Sequence, residues 1–138
     1  MFMDKIKKKS IKIFSMGLSM TILLISLSSA FIIDIRSNDK IGNYLVDEIG
    51  RTLYYFENDR PGASTCYESC AATWPPFHAE WIDIPESMRI DDFDEIGRAD
   101  GIYQTTYKGR PLYRYSGDRN PGEINGEGVQ GTWFAIRP

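Results

Sequence analysis

The sequence predicts a mostly β protein: a compact antiparallel β-sandwich or barrel-like domain built from two tandem pseudo-symmetric repeats, preceded by an N-terminal hydrophobic helix. Three observations carry that expectation. The stretch Gly50-Arg51-Thr52-Leu53-Tyr54-Tyr55-Phe56-Glu57-Asn58-Asp59-Arg60 returns as Gly109-Arg110-Pro111-Leu112-Tyr113-Arg114-Tyr115-Ser116-Gly117-Asp118-Arg119. The same offset of 59 carries Gly42 onto Gly101, Tyr44 onto Tyr103, Thr73 onto Thr132 and Trp74 onto Trp133, so the match is a duplication. β-forming runs then alternate with turn-forming ones in both copies. Finally, a lysine-rich, strongly apolar stretch opens the chain.

That opening stretch is not part of the domain. Lys5, Lys7, Lys8, Lys9 and Lys12 precede an apolar run from Phe14 to Leu27, and Ser28-Ser29-Ala30 supplies the small residues a signal peptidase reads. Residues 1–30 are therefore expected to be a cleavable signal peptide. The alternative is an uncleaved membrane anchor, because apolar character persists through Ile33 and about 20 such residues span a bilayer. Either way the lysines stay on the cytoplasmic side and the rest is exported.

Residues 31–41 read as a linker, its polar part running from Asp34 to Ile41. Residues 42–138 form the duplicated domain, with repeat one at 42–77, a connector at 78–100 and repeat two at 101–138. In repeat one, Tyr44-Leu45-Val46 and Thr52 to Phe56 are β-forming around an Asp47-Glu48-Ile49-Gly50 turn. In repeat two, Ile102 to Thr106 and Pro111 to Tyr115 flank a Lys108-Gly109 turn. Alternation sends Tyr54 and Phe56 to one face and Leu53 and Tyr55 to the other, so both faces carry large side chains. Each hairpin ends in an Asp/Pro-Gly turn, at Asp59 to Gly62 and at Asp118 to Gly122. Thr65 to Thr73 has room for one helical turn before Trp74-Pro75-Pro76 ends it. The acidic stretch Ile84 to Ile96 reads as irregular, with Phe93 and Ile96 packing back as a short helix or connector.

The chain has 138 residues and a net charge of −3. Without the five lysines and one aspartate of the leader, the exported part carries −7. That balance argues against nucleic acid and against anionic lipid surfaces. The membrane would be met only through an uncleaved N-terminal segment. Cys66 and Cys70 are the only cysteines, and in an exported protein a lone pair defaults to a disulfide. A loop that small yields about 2 kcal/mol by chain entropy, enough to fix a local turn.

At these motifs the chain resembles a family of secreted repeat proteins of unknown function, described as predicted lipoproteins with a Tyr-x-(Phe/Trp/Tyr)-x-x-Asp motif. The two matches are Tyr54-x-Phe56-x-x-Asp59 and Tyr113-x-Tyr115-x-x-Asp118. Cys66-x-x-x-Cys70 followed by Trp74-Pro75-Pro76, and Pro121-Gly122-Glu123 through Gly131-x-Trp133, extend the likeness over residues 42–138. The resemblance implies export and repeat architecture, with no agreed activity. Lipoprotein members carry a lipid-bearing cysteine after the leader. Here Leu27-Ser28-Ser29-Ala30-Phe31 has none, which excludes that kind of anchor.

Each candidate site has a structural reading beside a functional one. Tyr54, Phe56, Tyr113 and Tyr115 are either a stacking platform for a sugar or core rings, with Asp59 and Asp118 capping the turns. The core reading is preferred, with Trp74 and Trp133 sealing the shared interior and Arg51 and Arg110 pairing with the two aspartates. Cys66, Cys70 and His78, the single histidine, offer soft and imidazole ligands of the kind that hold Cu(I), though the spacing matches no strong metal signature. The second copy has Asn125 and Val129 at the cysteine positions. Asp118, Glu123, Asn125 and Glu127 around Gly126 have the chemistry of a calcium loop without its spacing. No Gly-x-Ser-x-Gly elbow, phosphate loop or His-Glu-x-x-His occurs.

The expected protein is thus an exported repeat domain without a catalytic site, metal or cofactor, binding an unknown envelope or extracellular partner. The alternatives are a redox or copper-binding protein using Cys66, Cys70 and His78, and a carbohydrate-binding module.

Overall fold

A computed structural model describes residues 32–138. The signal peptide or anchor helix expected over 1–30 lies outside the described residues. The elements are β1 (Ile33–Asn38), β2 (Gly42–Asp47), β3 (Tyr54–Phe56), α1 (Ser69–Thr73), β4 (Phe93–Gly97), β5 (Tyr103–Tyr107), β6 (Arg110–Pro111) and β7 (Trp133–Ala135), with two short 3-10 turns. All strand pairs are antiparallel: β1 with β2, β3 with β7, and β4 with β5 and β6.

The chain is mostly strand and duplicated, but the sheets are small and none closes into a barrel. Strands of two to six residues are too short to wrap a ring. The barrel-like expectation is corrected accordingly.

Two boundaries also move. Residues 31–41, expected to be a linker, contain β1, and the connector expected over 78–100 contains β4. Both are edge strands, where polar residues on the open side are tolerated and the hydrophobic pattern is weak. In β1 the signal is only Ile33 and Ile35 alternating with Asp34 and Arg36. Each repeat therefore begins with a hairpin: Ile33 faces Asp47 in the first, and Phe93 faces Tyr107 in the second.

These pairs are 60 residues apart, not 59. Val46 faces Thr52 across the first turn and Thr106 faces Pro111 across the second, so the second loop is one residue shorter. The offset is 60 before the turn and 59 after it. The counterpart of Tyr44 is consequently Gln104 rather than Tyr103. A one-residue slip reverses every side chain in a strand. Tyr44 is 2% and Gln104 0% exposed, whereas Tyr103 is 57% exposed.

The halves meet at Tyr54 and Tyr113, which are equivalent residues. Tyr54 N donates to Tyr113 O at 2.8 Å, and Tyr113 N donates to Tyr54 O at 2.9 Å. The pseudo-two-fold axis passes between them. Further backbone bonds repeat around it: Ile136 N donates to Leu53 O at 2.9 Å, and its counterpart Phe77 N donates to Leu112 O at 2.9 Å.

Alternation along the central segments feeds two interiors. Tyr54, Trp74, Tyr113 and Trp133 define one, with Phe56 and Tyr115 packed at its edge. Leu53, Phe77, Leu112 and Ile136 define the other, with Ile33, Leu45 and Tyr107. Each draws on both repeats. In the first interior, Trp74 and Trp133 stack face to face, with centroids 3.9 Å apart and an interplanar angle of 1°. Phe56 covers Trp133 at 4.4 Å and Tyr115 covers Trp74 at 4.2 Å. Four rings thus form one continuous stack, and each outer ring caps the tryptophan of the other repeat. Aromatic pairs add about 0.5–1.5 kcal/mol each beyond area burial where the rings are offset.

Truncating the stack should be costly in both halves at once. Trp133→Ala is expected to destabilise the duplicated domain by about 3–5 kcal/mol in denaturant titration, with one cooperative transition rather than two.

Candidate functional site

The repeated motif is built into the interface between repeats. Tyr54 hydroxyl donates to Asp118 Oδ2 at 2.6 Å, and Tyr113 hydroxyl donates to Asp59 Oδ2 at 2.6 Å. The tyrosine of each motif is therefore bonded to the aspartate of the other. Asp59 Oδ1 also accepts from Thr65 N and Oγ1, at 2.7 and 2.8 Å, and Asp118 Oδ1 accepts from Asn125 N at 2.9 Å. Each carboxylate thus closes its own turn with one oxygen and crosses the axis with the other.

Both phenols are fully buried. Burial, and then the hydrogen bond to a carboxylate, push the Tyr54 and Tyr113 hydroxyls well above the ordinary tyrosine range. Burial likewise raises Asp118, against the opposing pull of the Tyr54 and Asn125 bonds. These groups are held out of water and have no free face for stacking. Arg51 and Arg110 do not pair with the aspartates, whose oxygens are taken by tyrosine, threonine and backbone donors. Arg110 lies over Tyr55 instead, 4.0 Å from the ring centroid.

A residue that the motifs do not flag organises the other side of Tyr113. The Arg98 side chain is fully buried and bonds Asp100 at 2.9 Å, Gln104 Oε1 at 2.9 Å, Cys66 O at 2.7 Å and Ser64 Oγ at 2.7 Å. Ser64 in turn bonds the Tyr113 hydroxyl at 2.6 Å. The Arg98 guanidinium holds Asp100 below the usual carboxylate range. The signal available in sequence was the Arg-Ala-Asp-Gly turn, which reads equally well as surface.

The remaining candidates resolve into local contacts. Cys66 and Cys70 are joined in a disulfide with Cα atoms 5.3 Å apart, leading into α1. His78 Nε2 is 2.6 Å from Glu95 Oε2 on β4. Glu123 accepts from Arg119 N and Asn120 Nδ2, and these bonds, the Asn120 side chain first, hold its carboxyl low. Glu127 accepts from Ala135 N at 2.6 Å and pairs with Arg137 at 2.8 Å. Among the described residues, no three His, Cys, Asp or Glu side chains converge as a metal-holding group.

One corner open to solvent lies beside the Lys108-Gly109 turn. Tyr55, Tyr107 and Ile136 form its walls and floor, Lys108, Arg110 and Arg137 its rim, and its volume is about 200 Å³. Lys108 and Arg110 also border a second cleft of about 340 Å³, lined as well by Glu57, Asp59, Arg60 and Pro61.

The fold and these motifs define a duplicated β domain whose repeated residues serve its own assembly. A family model described as a secreted repeat of unknown function matches residues 36–78 and 96–137, and the chain belongs to that family. The matched spans begin 60 and end 59 residues apart, the same change of offset seen across the two hairpin turns. The family is described as secreted, and an intramolecular disulfide fits an extracytoplasmic location. No curated protein and no solved structure matches the chain.

The raised tyrosine values set a pH dependence. A group whose folded pKa lies above its unfolded value, near 10 for tyrosine, stabilises fully below that pH and loses the contribution as pH rises past it. Unfolding free energy should therefore fall above about pH 10 by up to ~1.4 kcal/mol per pH unit for each of Tyr54 and Tyr113. Tyr54→Phe is expected to flatten that slope by about one proton when denaturant curves are collected from pH 8 to 12.

Proposed function

We propose that the exported part is a non-enzymatic binding or envelope module with an envelope or extracellular partner. The observation that carries this reading is the internal use of the family motif. Tyr54, Asp59, Tyr113 and Asp118 are engaged with one another across the pseudo-two-fold axis. The residues that make the chain recognisable therefore supply a scaffold, and contact with a partner falls to the surface around it. A net charge of −7 on that surface disfavours nucleic acid and suits a soluble domain that repels its own copies. The membrane is met only through the N-terminal segment, if that segment is retained.

Two other readings have less behind them. The copper reading needs thiolates at Cys66 and Cys70, and these sulfurs are bonded to each other; the redox reading has only that bridge behind it. The carbohydrate reading needs exposed motif rings; Tyr54 and Tyr113 are at 0% exposure, and Phe56 and Tyr115 are half-buried with one face of each against a tryptophan.

Washed envelopes of the host cell, incubated with the purified exported segment, are expected to retain it saturably on sedimentation. Protein isolated natively should carry the Cys66–Cys70 bridge, two mass units below the reduced chain. Absence of retention contradicts the module reading. Two free thiols with stoichiometric copper would favour the metal-binding one.

A further inference from the structure

Resting on the binding-module reading, we propose that the corner formed by Tyr55, Tyr107, Ile136, Lys108, Arg110 and Arg137 binds an anionic unit, a carboxylate or phosphate, of an extracellular polymer. Its floor is apolar: Tyr107 is 3% and Ile136 2% exposed. Its rim is cationic, and no carboxylate lines it. Arg137 is paired with Glu127. Lys108 and Arg110 take part in none of the ion pairs among the described residues. In an exported chain with a net charge of −7, two cations outside any ion pair on one small cavity are a concentration of charge against the trend.

The cations are also held in place. The Arg110 guanidinium sits 4.0 Å from the Tyr55 centroid, and Lys108 Nζ is 5.0 Å from that of Tyr107. Contact with a ring fixes a guanidinium while leaving its N–H edges free for a planar or tetrahedral oxyanion. Backbone geometry points the same way. Lys108 has φ 49° and Gly109 φ 80°, the left-handed pair of a tight hairpin turn. Asn or Asp before Gly is the usual choice there. A lysine in that place accepts backbone strain, which functional positions often do.

The first repeat provides an internal comparison. At the equivalent corner Asp47 stands for Tyr107, Glu48 for Lys108, Arg114 for Tyr55 and Phe77 for Ile136. There Arg114 lies 5.1 Å from the Phe77 centroid, bonds Asp47 Oδ2 at 2.6 Å and approaches Glu48 at 3.6 Å. That corner neutralises itself with its own carboxylates. The second-repeat corner has Tyr107 where the first has Asp47 and Lys108 where it has Glu48, so its cations have no acid of the corner itself beside them and are open to an oxyanion from outside the chain. The cavity of about 200 Å³ admits an anionic group with the carbon frame that carries it. The adjoining cleft of about 340 Å³ shares Lys108 and Arg110 but is also lined by Glu57 and Asp59, so the anion is assigned to the smaller corner alone.

The test is amide NMR titration of the exported segment at low salt with glycerol 3-phosphate and with glucuronate, using glycerol and glucose as neutral controls. The expected result is a saturable, salt-weakened shift confined to residues around Lys108–Arg110 and Ile136. The preferred anion tells a phosphate polymer from a carboxylate one. The Lys108→Asn/Arg110→Gln variant should weaken binding at least about tenfold. It should melt no lower than wild type, since Asn suits the turn. Absence of a saturable shift, an equal response to the neutral controls, or unchanged affinity in the variant would overturn the assignment. Envelope retention that persists without any anion response would sink this site while leaving the module reading intact.

Discussion

The exchange of phenol–carboxylate hydrogen bonds across the pseudo-two-fold axis is the constraint on which the rest of the structure depends. A hydrogen bond to a charged group is worth about 1.5–3 kcal/mol, and breaking one strands a buried partner. Here two such bonds are placed back to back around the Tyr54–Tyr113 backbone pair. Each aspartate also holds its own turn closed, at Thr65 or at Asn125. Local turn geometry and long-range docking are thereby joined in single side chains. A half of this size buries little apolar surface by itself, so sharing both interiors is the natural solution.

Aromatic packing follows the same crossing rule. Phe56 covers the tryptophan of the other repeat, and so does Tyr115. The edge contacts of Tyr54 with Trp74 and of Tyr113 with Trp133 remain within their own repeats. Hydrogen bonds and outer rings therefore cross the axis, as does the edge contact of Tyr54 with Tyr115, and neither half keeps a complete interior without its mate. Symmetry of the scaffold leaves the surface free to diverge, which is how one hairpin corner became a closed ion pair and the other an open cationic one.

Much of this was legible in sequence because it is encoded locally. Gly50 and Gly109 mark turns at which both have positive φ, and the Pro75-Pro76 pair ends α1 within two residues. The duplication itself was plain from the Tyr-to-Asp motifs. Other features were hidden for physical reasons. The single-residue difference in turn length is invisible when Tyr44 and Tyr103 look alike, yet it decides which residue faces the core. The edge strands β1 and β4 carry too few apolar side chains to stand out from a linker. Above all, Tyr54 and Tyr113 each have an aspartate five residues downstream, and nothing in that spacing says that the bonded one belongs to the other copy. Buried Arg98 was missed because an arginine beside an Asp-Gly turn ordinarily faces solvent.

The claim that the two motifs exchange partners is tested most directly by double-mutant cycles on unfolding free energy, combining Tyr→Phe with Asp→Asn. Coupling of about 1 kcal/mol or more is predicted for Tyr54 with Asp118 and for Tyr113 with Asp59, against values within about 0.5 kcal/mol for Tyr54 with Asp59 and Tyr113 with Asp118. Strong coupling inside each motif and none across the axis would contradict it.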